Sequence, residues 1–282
     1  MKLARFTHNG STGIGKVVGD KVVDLSGVAG VTGSMRALLT DLADLRPALA
    51  AATGPVLALN EVRLEAPITD PQKFLAIGMN YQAHAEEAAA AGIPTPTSQL
   101  WFNKQVSCIA GPADDIVRPK VSDKLDYEAE LAYVIGVKCR HVKAPDALSV
   151  IAGYLICNDV SVRDWQSRSP TFTLGKSFDT HGPIGPWITT ADEIADAENL
   201  TLKLTVNGEQ RQYAKTNDLI YKIAEQIEYL STVMTLYPGD VISTGTPSGV
   251  GIVTQNWLKP GDVVRVEIEG LGAIENQVVD EA

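Results

Sequence analysis

Cysteine is scarce in this sequence: three residues among 282, widely spaced and without a C-x-x-C pair. A disulfide framework is therefore not expected, and the three thiols are predicted to lie buried in a reducing compartment. Long apolar runs are also missing, because the longest, such as residues 131–137, are too short to span a bilayer. Residues 1–6 lack the apolar segment of a signal peptide, so a cytoplasmic protein without a membrane partner is expected.

Positive charge is in short supply as well. The net charge of −10 argues against nucleic acid as a partner, since binding to nucleic acid needs a basic surface. Neither a G-x-G-x-x-G motif nor a phosphate-binding P-loop is present, so no nucleotide cofactor is expected. A small anionic substrate would need local positive charge from a metal ion or from a few lysine and arginine side chains.

The first 70 residues are predicted to form a small α/β module. Gly19-Asp20 is typical of a tight turn in a β-hairpin, and Ser34 is a candidate cap for a helix over 35–43. A further helix is predicted over 46–52. The prolines in 67–71 then mark a boundary, and residues 71–282 are predicted to form the second domain.

The second domain is predicted to be a β-rich α+β fold. Asn207-Gly208 is a strong hairpin signal, and the one long amphipathic helix is predicted over 219–236. An alanine- and glutamate-rich helix is predicted over 81–91. Buried or alternating strands are predicted at 74–77, 100–103, 126–136, 200–206, 209–213, 241–243 and 263–268, and residues 150–157 are predicted to form a further strand or a short helix.

Glu128 and Glu130 lie on one face of the strand predicted over 126–136, with Asp126 behind them. The strand continues as a run that is apolar on both faces, which indicates entry into a core. Two carboxylates held this close repel each other unless a proton or a cation lies between them. Asp159, at the end of another apolar element, is the best third ligand for Mg²⁺, Mn²⁺ or Ca²⁺. The alternatives are a solvated strand edge and a simple turn.

His84 and Glu87 are three residues apart on a predicted helix and so share one face. A carboxylate beside an imidazole raises its basicity, as a water-activating dyad requires, although a surface pair is the alternative. Lys176, beside Gly175, is a candidate anion ligand or a solvated surface lysine. The glycine-rich stretch 244–251 could hold a carboxylate with backbone N–H groups.

These stretches, taken together, resemble the fumarylacetoacetate hydrolase superfamily. The resemblance covers about residues 72–275 and rests on five motifs in the family's order, at 78–87, 126–131, 153–166, 175–179 and 238–247. The larger members use a further aspartate ahead of the histidine motif. Residues 78–81 contain no carboxylate, so the chain is closer to the short bacterial members.

The resemblance implies a β-sandwich roll, usually dimeric, that binds Mg²⁺ or Mn²⁺, with Ca²⁺ as an alternative in vitro. It implies metal ligation by Glu128, Glu130 and Asp159. The remaining implied roles are a lid dyad of His84 and Glu87, a catalytic Lys176, and substrate contacts from Gln166, Arg163, Thr246 and Tyr81.

The implied activity is hydrolysis of a carbon–carbon bond in a β-diketo acid. The substrate would be an acylpyruvate or a 2,4-diketo-3-deoxy acid, and the products pyruvate or a related 2-oxoacid and a carboxylic acid. The alternatives are an isomerase, tautomerase or 2-oxoacid decarboxylase that uses the same metal-bound enolate, and a non-catalytic protein that binds small acids. The aromatic candidates for the variable part of the pocket are Trp101, Phe102, Phe172 and Trp187, although aromatic residues are often simply core.

Overall fold

A computed structural model describes residues 1–90, 92 and 94–282 of the chain. The strands in this part of the chain are β1 Lys2–His8, β2 Ser11–Val18, β3 Lys21–Asp24, β4 Val56–Ala58, β5 Arg63–Glu65, β6 Phe74–Gly78, β7 Leu100–Lys104, β8 Ile109–Ala110, β9 Ile116–Arg118, β10 Leu125–Asp126, β11 Ala129–Ile135, β12 Ile151–Asn158, β13 Ser161–Val162, β14 Gly182–Thr190, β15 Thr201–Val206, β16 Glu209–Lys215, β17 Val241–Ser243, β18 Val263–Ile268 and β19 Gly272–Asp280. The α-helices are α1 Met35–Thr40, α2 Leu42–Ala51, α3 Gln82–Ala90, α4 Ala144–Ala147, α5 Arg163–Gln166, α6 Ile223–Val233 and α7 Gly251–Thr254.

Two sheets form the body of the described chain. The large sheet has the strand order β4-β3-β2-β1-β14-β12-β11-β17-β6-β7, with β5 on β1 and β8 on β14. The second has the order β16-β15-β18-β19-β9, and β10 pairs with β13 as a short separate ribbon. The prediction of a β-rich α+β fold is confirmed. None of the described helices is long and apolar enough to cross a membrane.

Strand β11 lies in the middle of the protein and is buried along its whole length. Leu131 and Tyr133 belong to a core cluster that includes Leu202 and other residues of the second sheet. Ala132, on the opposite face, packs in a different cluster with Met35 of α1. A strand covered on both faces needs apolar residues at consecutive positions, which explains the continuous apolar run in the sequence.

The N-terminal strands extend the large sheet rather than forming a separate one. Strand β1 pairs with β14 of the second predicted domain, with Lys2 opposite Thr189. The hairpin β2–β3 closes as predicted, and the Ser34 hydroxyl accepts a hydrogen bond from the Ala37 amide at the start of α1. The domain boundary near residue 70 stays a prediction.

Several elements differ in their bounds from the sequence prediction. The helix predicted over 219–236 is shorter, because Leu219 forms a β-bridge with Tyr81 and the Ile220 amide donates to the Asn80 carbonyl. Strand β14 was not predicted, since prolines interrupt its pattern. Pro186 lies where the pairing with β12 changes register, a position at which a strand tolerates proline. The predicted end of helix α3, at Ala91, lies outside the described residues.

Candidate metal centre and active site

Three carboxylates converge at one end of the central strands β11 and β12 of the large sheet. Oxygens of Glu128, Glu130 and Asp159 lie within 4.8 Å of one another, and all three residues are buried. Glu130 is in β11, and Asp159 directly follows β12. The predicted strand over 126–136 is interrupted, so Glu128 precedes β11, and its carbonyl accepts a hydrogen bond from the Asp159 amide (2.8 Å).

Three cationic side chains surround these carboxylates. The Lys176 Nζ lies 2.6 Å from Glu128 Oε2 and 2.7 Å from Asp159 Oδ2. The Arg163 Nη2 lies 2.6 Å from Glu128 Oε1. The Lys104 Nζ, which the sequence analysis did not single out, lies 2.6 Å from Asp159 Oδ1 and is fully buried. Lys176 is therefore a buried ion-pair partner rather than a solvated surface lysine.

Glu130 is the exception among the carboxylates. No Lys, Arg or His nitrogen of the described residues lies within 4.0 Å of it. Only neutral donors reach its Oε2, namely the Ser243 hydroxyl (2.5 Å) and the Gly245 amide (2.9 Å).

The environment drives the pKa values of the two glutamates apart. Burial by itself opposes ionisation of Glu128, but Arg163 and Lys176 outweigh it and hold the pKa at about 2. Burial, with the negative charges of Asp159 and Glu128, raises the pKa of Glu130 well above its ordinary value. A cation beside Glu130 would favour the ionised carboxylate and so oppose that rise in pKa.

The donor set fits a hard divalent cation. Three carboxylate residues on converging elements are the oxygen ligands that Mg²⁺ and Mn²⁺ prefer. Counting Asp126, which pairs with Arg163 at 2.8 Å, four buried carboxylates face three cationic side chains, so one negative charge is left over. A divalent cation would make the local charge positive, which suits an anionic substrate in a protein of net charge −10.

The His84 and Glu87 side chains are in contact as the spacing predicted. The His84 Nδ1 lies 3.1 Å from Glu87 Oε2, and the other Glu87 oxygen accepts a hydrogen bond from the Gly249 amide (3.2 Å). A carboxylate that accepts from Nδ1–H leaves Nε2 free to accept a proton. His84 lines the same cavity as Glu128 and Glu130, so the dyad is more than a surface pair.

The glycine-rich stretch predicted over 244–251, with Ser243 and Ile252 on either side, binds carboxylates of the protein itself. It donates to Glu130 and Glu87 as described above, and the Gly251 (2.7 Å) and Ile252 (2.9 Å) amides donate to Asp126. Asp126 in turn accepts from Arg163 Nε at 2.8 Å and so positions that guanidinium. Asp126 thus contributes to the site by positioning Arg163, although the resemblance does not include it among the metal ligands.

The predicted substrate-binding residues divide into two groups. Gln166, Arg163 and Thr246 line the cavity, and Gln166 Oε1 accepts from Arg163 Nη1 (2.9 Å). The Thr246 hydroxyl is already used, since it donates to the Ala129 carbonyl (3.0 Å). Tyr81 is fully buried and is not among the lining residues, so the structure does not bring it to the substrate site.

The cavity that joins the carboxylates and the dyad has a volume of about 680 Å³. Two of the four aromatic candidates, Phe102 and Phe172, line it. Trp101 instead lines a different groove, and Trp187 packs beside Lys2 of β1. The position of an aromatic residue in the sequence gave no basis for this distinction.

A family model described as fumarylacetoacetate (FAA) hydrolase C-terminal matches residues 73–279. The chain belongs to the fumarylacetoacetate hydrolase family. A second model, described as Rv2993c-like, N-terminal, matches residues 1–67. The resemblance found in the order of the five motifs is therefore confirmed.

Known members of the family carry out more than one reaction. The chain is 46% identical over 238 residues to the mitochondrial oxaloacetate tautomerase FAHD2A of Homo sapiens, which covers 83% of this chain and 74% of that protein. It is 36% identical, with a TM-score of 0.86 and full coverage of both chains, to maleylpyruvate hydrolase from Sphingobium sp. SYK-6 in complex with manganese(II) and pyruvate. It is 33% identical, with a TM-score of 0.81, to 2-hydroxyhepta-2,4-diene-1,7-dioate isomerase from Mycobacterium marinum, covering 100% of this chain and 99% of that one.

The affinity for Mn²⁺ is expected to depend on pH through Glu130. Because its pKa is raised and only the ionised carboxylate binds metal, the affinity should rise by up to about tenfold per pH unit below that pKa and then level off. Calorimetric titration from about pH 5 to pH 9 measures this. Glu130→Gln, which cannot titrate, should bind more weakly and lose that part of the slope. An affinity of the native chain that stays constant with pH would contradict this description of Glu130.

Replacing Lys104 with Met should leave the buried Asp159 with only Lys176 as a cationic partner, and Glu128 shares that lysine. We expect the free energy of unfolding to fall by about 3–5 kcal/mol, as is typical when one partner of a buried ion pair is removed. Lys143→Met is the matched control, since the Lys143 side chain is 73% exposed in its pair with Glu228. Urea denaturation of both variants measures the loss of unfolding free energy. Equal losses in the two variants would contradict the prediction, because they would show that the buried pair contributes no more than the exposed one.

Proposed function

We propose that the protein is a metal-dependent hydrolase that cleaves a carbon–carbon bond in a 2,4-dioxo acid of the acylpyruvate type. The products are pyruvate and a carboxylic acid. The observation that carries this proposal is that His84, which is hydrogen-bonded to Glu87, lines the same cavity as Glu128 and Glu130 of the buried three-carboxylate cluster. One part of such a cavity can activate water, and the other can hold a 2-oxoacid.

When bound, a Mg²⁺ or Mn²⁺ ion held by Glu128, Glu130 and Asp159 would supply Lewis acidity to the carboxylate and 2-oxo oxygens of the substrate. Arg163 and Lys176 place further positive charge at the wall of the cavity beside Glu128. Gln166 presents its amide at the same wall and is held there by Arg163. These groups bind and orient an anionic substrate.

The dyad supplies the base. Glu87 keeps the Nδ1 of His84 protonated, so Nε2 accepts a proton from water as that water adds to the C4 carbonyl. The Gly249 amide holds Glu87 in place for this task. The addition forms a tetrahedral centre at C4.

Collapse of that centre breaks the C3–C4 bond and releases the carboxylic acid. The electron pair of the bond stays on the pyruvate fragment as an enolate. Lys176 stabilises the negative charge with its ammonium group. The proton that His84 took from water then passes to C3 and gives pyruvate, so one water molecule is consumed for each acylpyruvate cleaved.

The relatives support two versions of this chemistry. The Mn(II) and pyruvate bound to maleylpyruvate hydrolase agree with a metal site and a pyruvate product. The 46% identity to an oxaloacetate tautomerase favours a second candidate, in which the same enolate is reprotonated and no bond is broken. The volume of about 680 Å³ leaves room for a substrate larger than four-carbon oxaloacetate, which supports hydrolysis. The homodimer and the cytoplasmic location stay predictions.

Glu87→Gln should lower kcat for acetylpyruvate by roughly 10²–10⁴-fold, because a neutral amide does not stabilise the imidazolium that forms when His84 takes the proton from water. Mn²⁺ binding should be unchanged, since Glu87 is not part of the carboxylate cluster. Release of pyruvate, followed by a coupled dehydrogenase, is the measurement.

Glu86→Gln is the control, because Glu86 lies next to Glu87 in α3 but is exposed. It should keep full activity. If the native protein converts the enol of oxaloacetate to the keto form but releases no pyruvate from any acylpyruvate, the tautomerase reading replaces the hydrolase.

A further inference from the structure

The wall of the cavity divides into two chemically different parts. Its ionisable lining residues are His84, Glu128, Glu130, Arg163 and Lys176, and the last two both pair with Glu128. Most of the remaining wall is apolar and includes Ile77, Met79, Leu100, Phe102, Phe172 and Ile252, while its other polar members are Gln166, Ser167, Thr246 and Gln255. Arg163 and Lys176 are the only arginine and lysine among the described residues that line the cavity.

The apolar part begins next to the reacting groups and leads outward. The Phe102 ring centre lies 5.0 Å from the Lys176 Nζ. Phe172 then packs edge-on against Phe102, with ring centres 6.0 Å apart. Ile252 is also part of the wall and is 39% exposed, so the apolar surface reaches the mouth of the cavity.

Three residues of this wall hold a backbone conformation that disfavours side chains. Met79, Phe172 and Gln255 have φ values of 55°, 61° and 53°, in the left-handed region. The left-handed conformation costs roughly 1–2 kcal/mol for a residue with a side chain, and glycine would avoid that cost. The side chains of Met79 and Phe172 therefore occupy the wall despite a backbone penalty, as is common at functional sites.

We infer that the acyl group of the substrate is an extended apolar or aromatic group, and that Phe172 and Met79 select for it. This inference rests on the proposed function, because it concerns the part of the acylpyruvate beyond C4. A carboxylate or several hydroxyls at the end of the acyl group would lose water at this wall and find no cation there. The inference favours acylpyruvates over 2,4-diketo-3-deoxy sugar acids.

Two substrates of equal shape test this selection. Both 4-methylpentanoylpyruvate and succinylpyruvate have an acyl chain of the same length and branching, but the first ends in two methyl groups and the second in a carboxylate. With Mn²⁺ present, kcat/KM for pyruvate release should be at least about tenfold higher for the methyl-ended substrate. An equal or lower value would overturn the inference.

Variants at Phe172 locate the selection. Phe172→Ala should lower the ratio of the two kcat/KM values by about fivefold or more, because the ring no longer contacts the acyl group. Phe172→Gly, which removes the ring and also relaxes the backbone, should lower this ratio as well. Agreement between the two variants shows that the change in the ratio does not come from a folding defect in one of them. Leu174→Ala is the control, since Leu174 is 58% exposed and is not a lining residue. A ratio that both Phe172 variants leave unchanged would contradict the role of Phe172.

Binding measurements separate this inference from the proposed function. Calorimetry with Mn²⁺ present would compare 2-oxo-6-methylheptanoate with 2-oxoadipate, which again differ only in two methyl groups against a carboxylate. Neither needs to be hydrolysed. Tighter binding of the methyl-ended acid supports the inference even if no acylpyruvate is cleaved, in which case only the hydrolase proposal fails. Equal binding, absence of binding, or a preference for 2-oxoadipate would overturn the inference while hydrolysis stands.

Discussion

The mutual repulsion of carboxylates buried at the end of the central strands β11 and β12 is the constraint on which the site depends. Asp126, Glu128, Glu130 and Asp159 are all at most 5% exposed. Charges removed from water are tolerated only with partners, and three buried cations provide them for all but Glu130. Glu130 therefore remains available to a cation that the protein itself does not supply.

The segment 243–252, which runs from the last residue of β17 to the start of α7, connects the carboxylate cluster with the His84–Glu87 dyad. Its hydroxyl and amide donors hold Glu130 at the metal end and Glu87 in the dyad. Its last two donors hold Asp126, which positions Arg163. This segment thus fixes the carboxylate cluster relative to the dyad, and positioning of this kind is what the proposed bond cleavage requires. Under the same proposal, the apolar wall beyond Lys176 selects the acyl group.

Most residues of the candidate site could be predicted from the sequence, for physical reasons. Glu130 and Asp159 could be predicted because carboxylates beside apolar elements are costly and so point to a partner, and His84 with Glu87 because helical spacing puts them on one face. Lys104 could not be predicted, since one lysine in a short strand has no pattern that distinguishes burial from exposure. The shorter α6 and the burial of Tyr81 depend on a bridge between distant segments, which local periodicity does not contain. The same limit applied to the aromatic residues.

The location of Mn²⁺ in crystals of the native chain tests the central claim most directly. Anomalous diffraction at the manganese edge should give one strong peak per chain, among the carboxylates of Glu128, Glu130 and Asp159. The peak should vanish in crystals of Glu130→Gln grown in the same way. A peak at any other position, or an unchanged peak in Glu130→Gln, would show that Glu130 does not bind the metal.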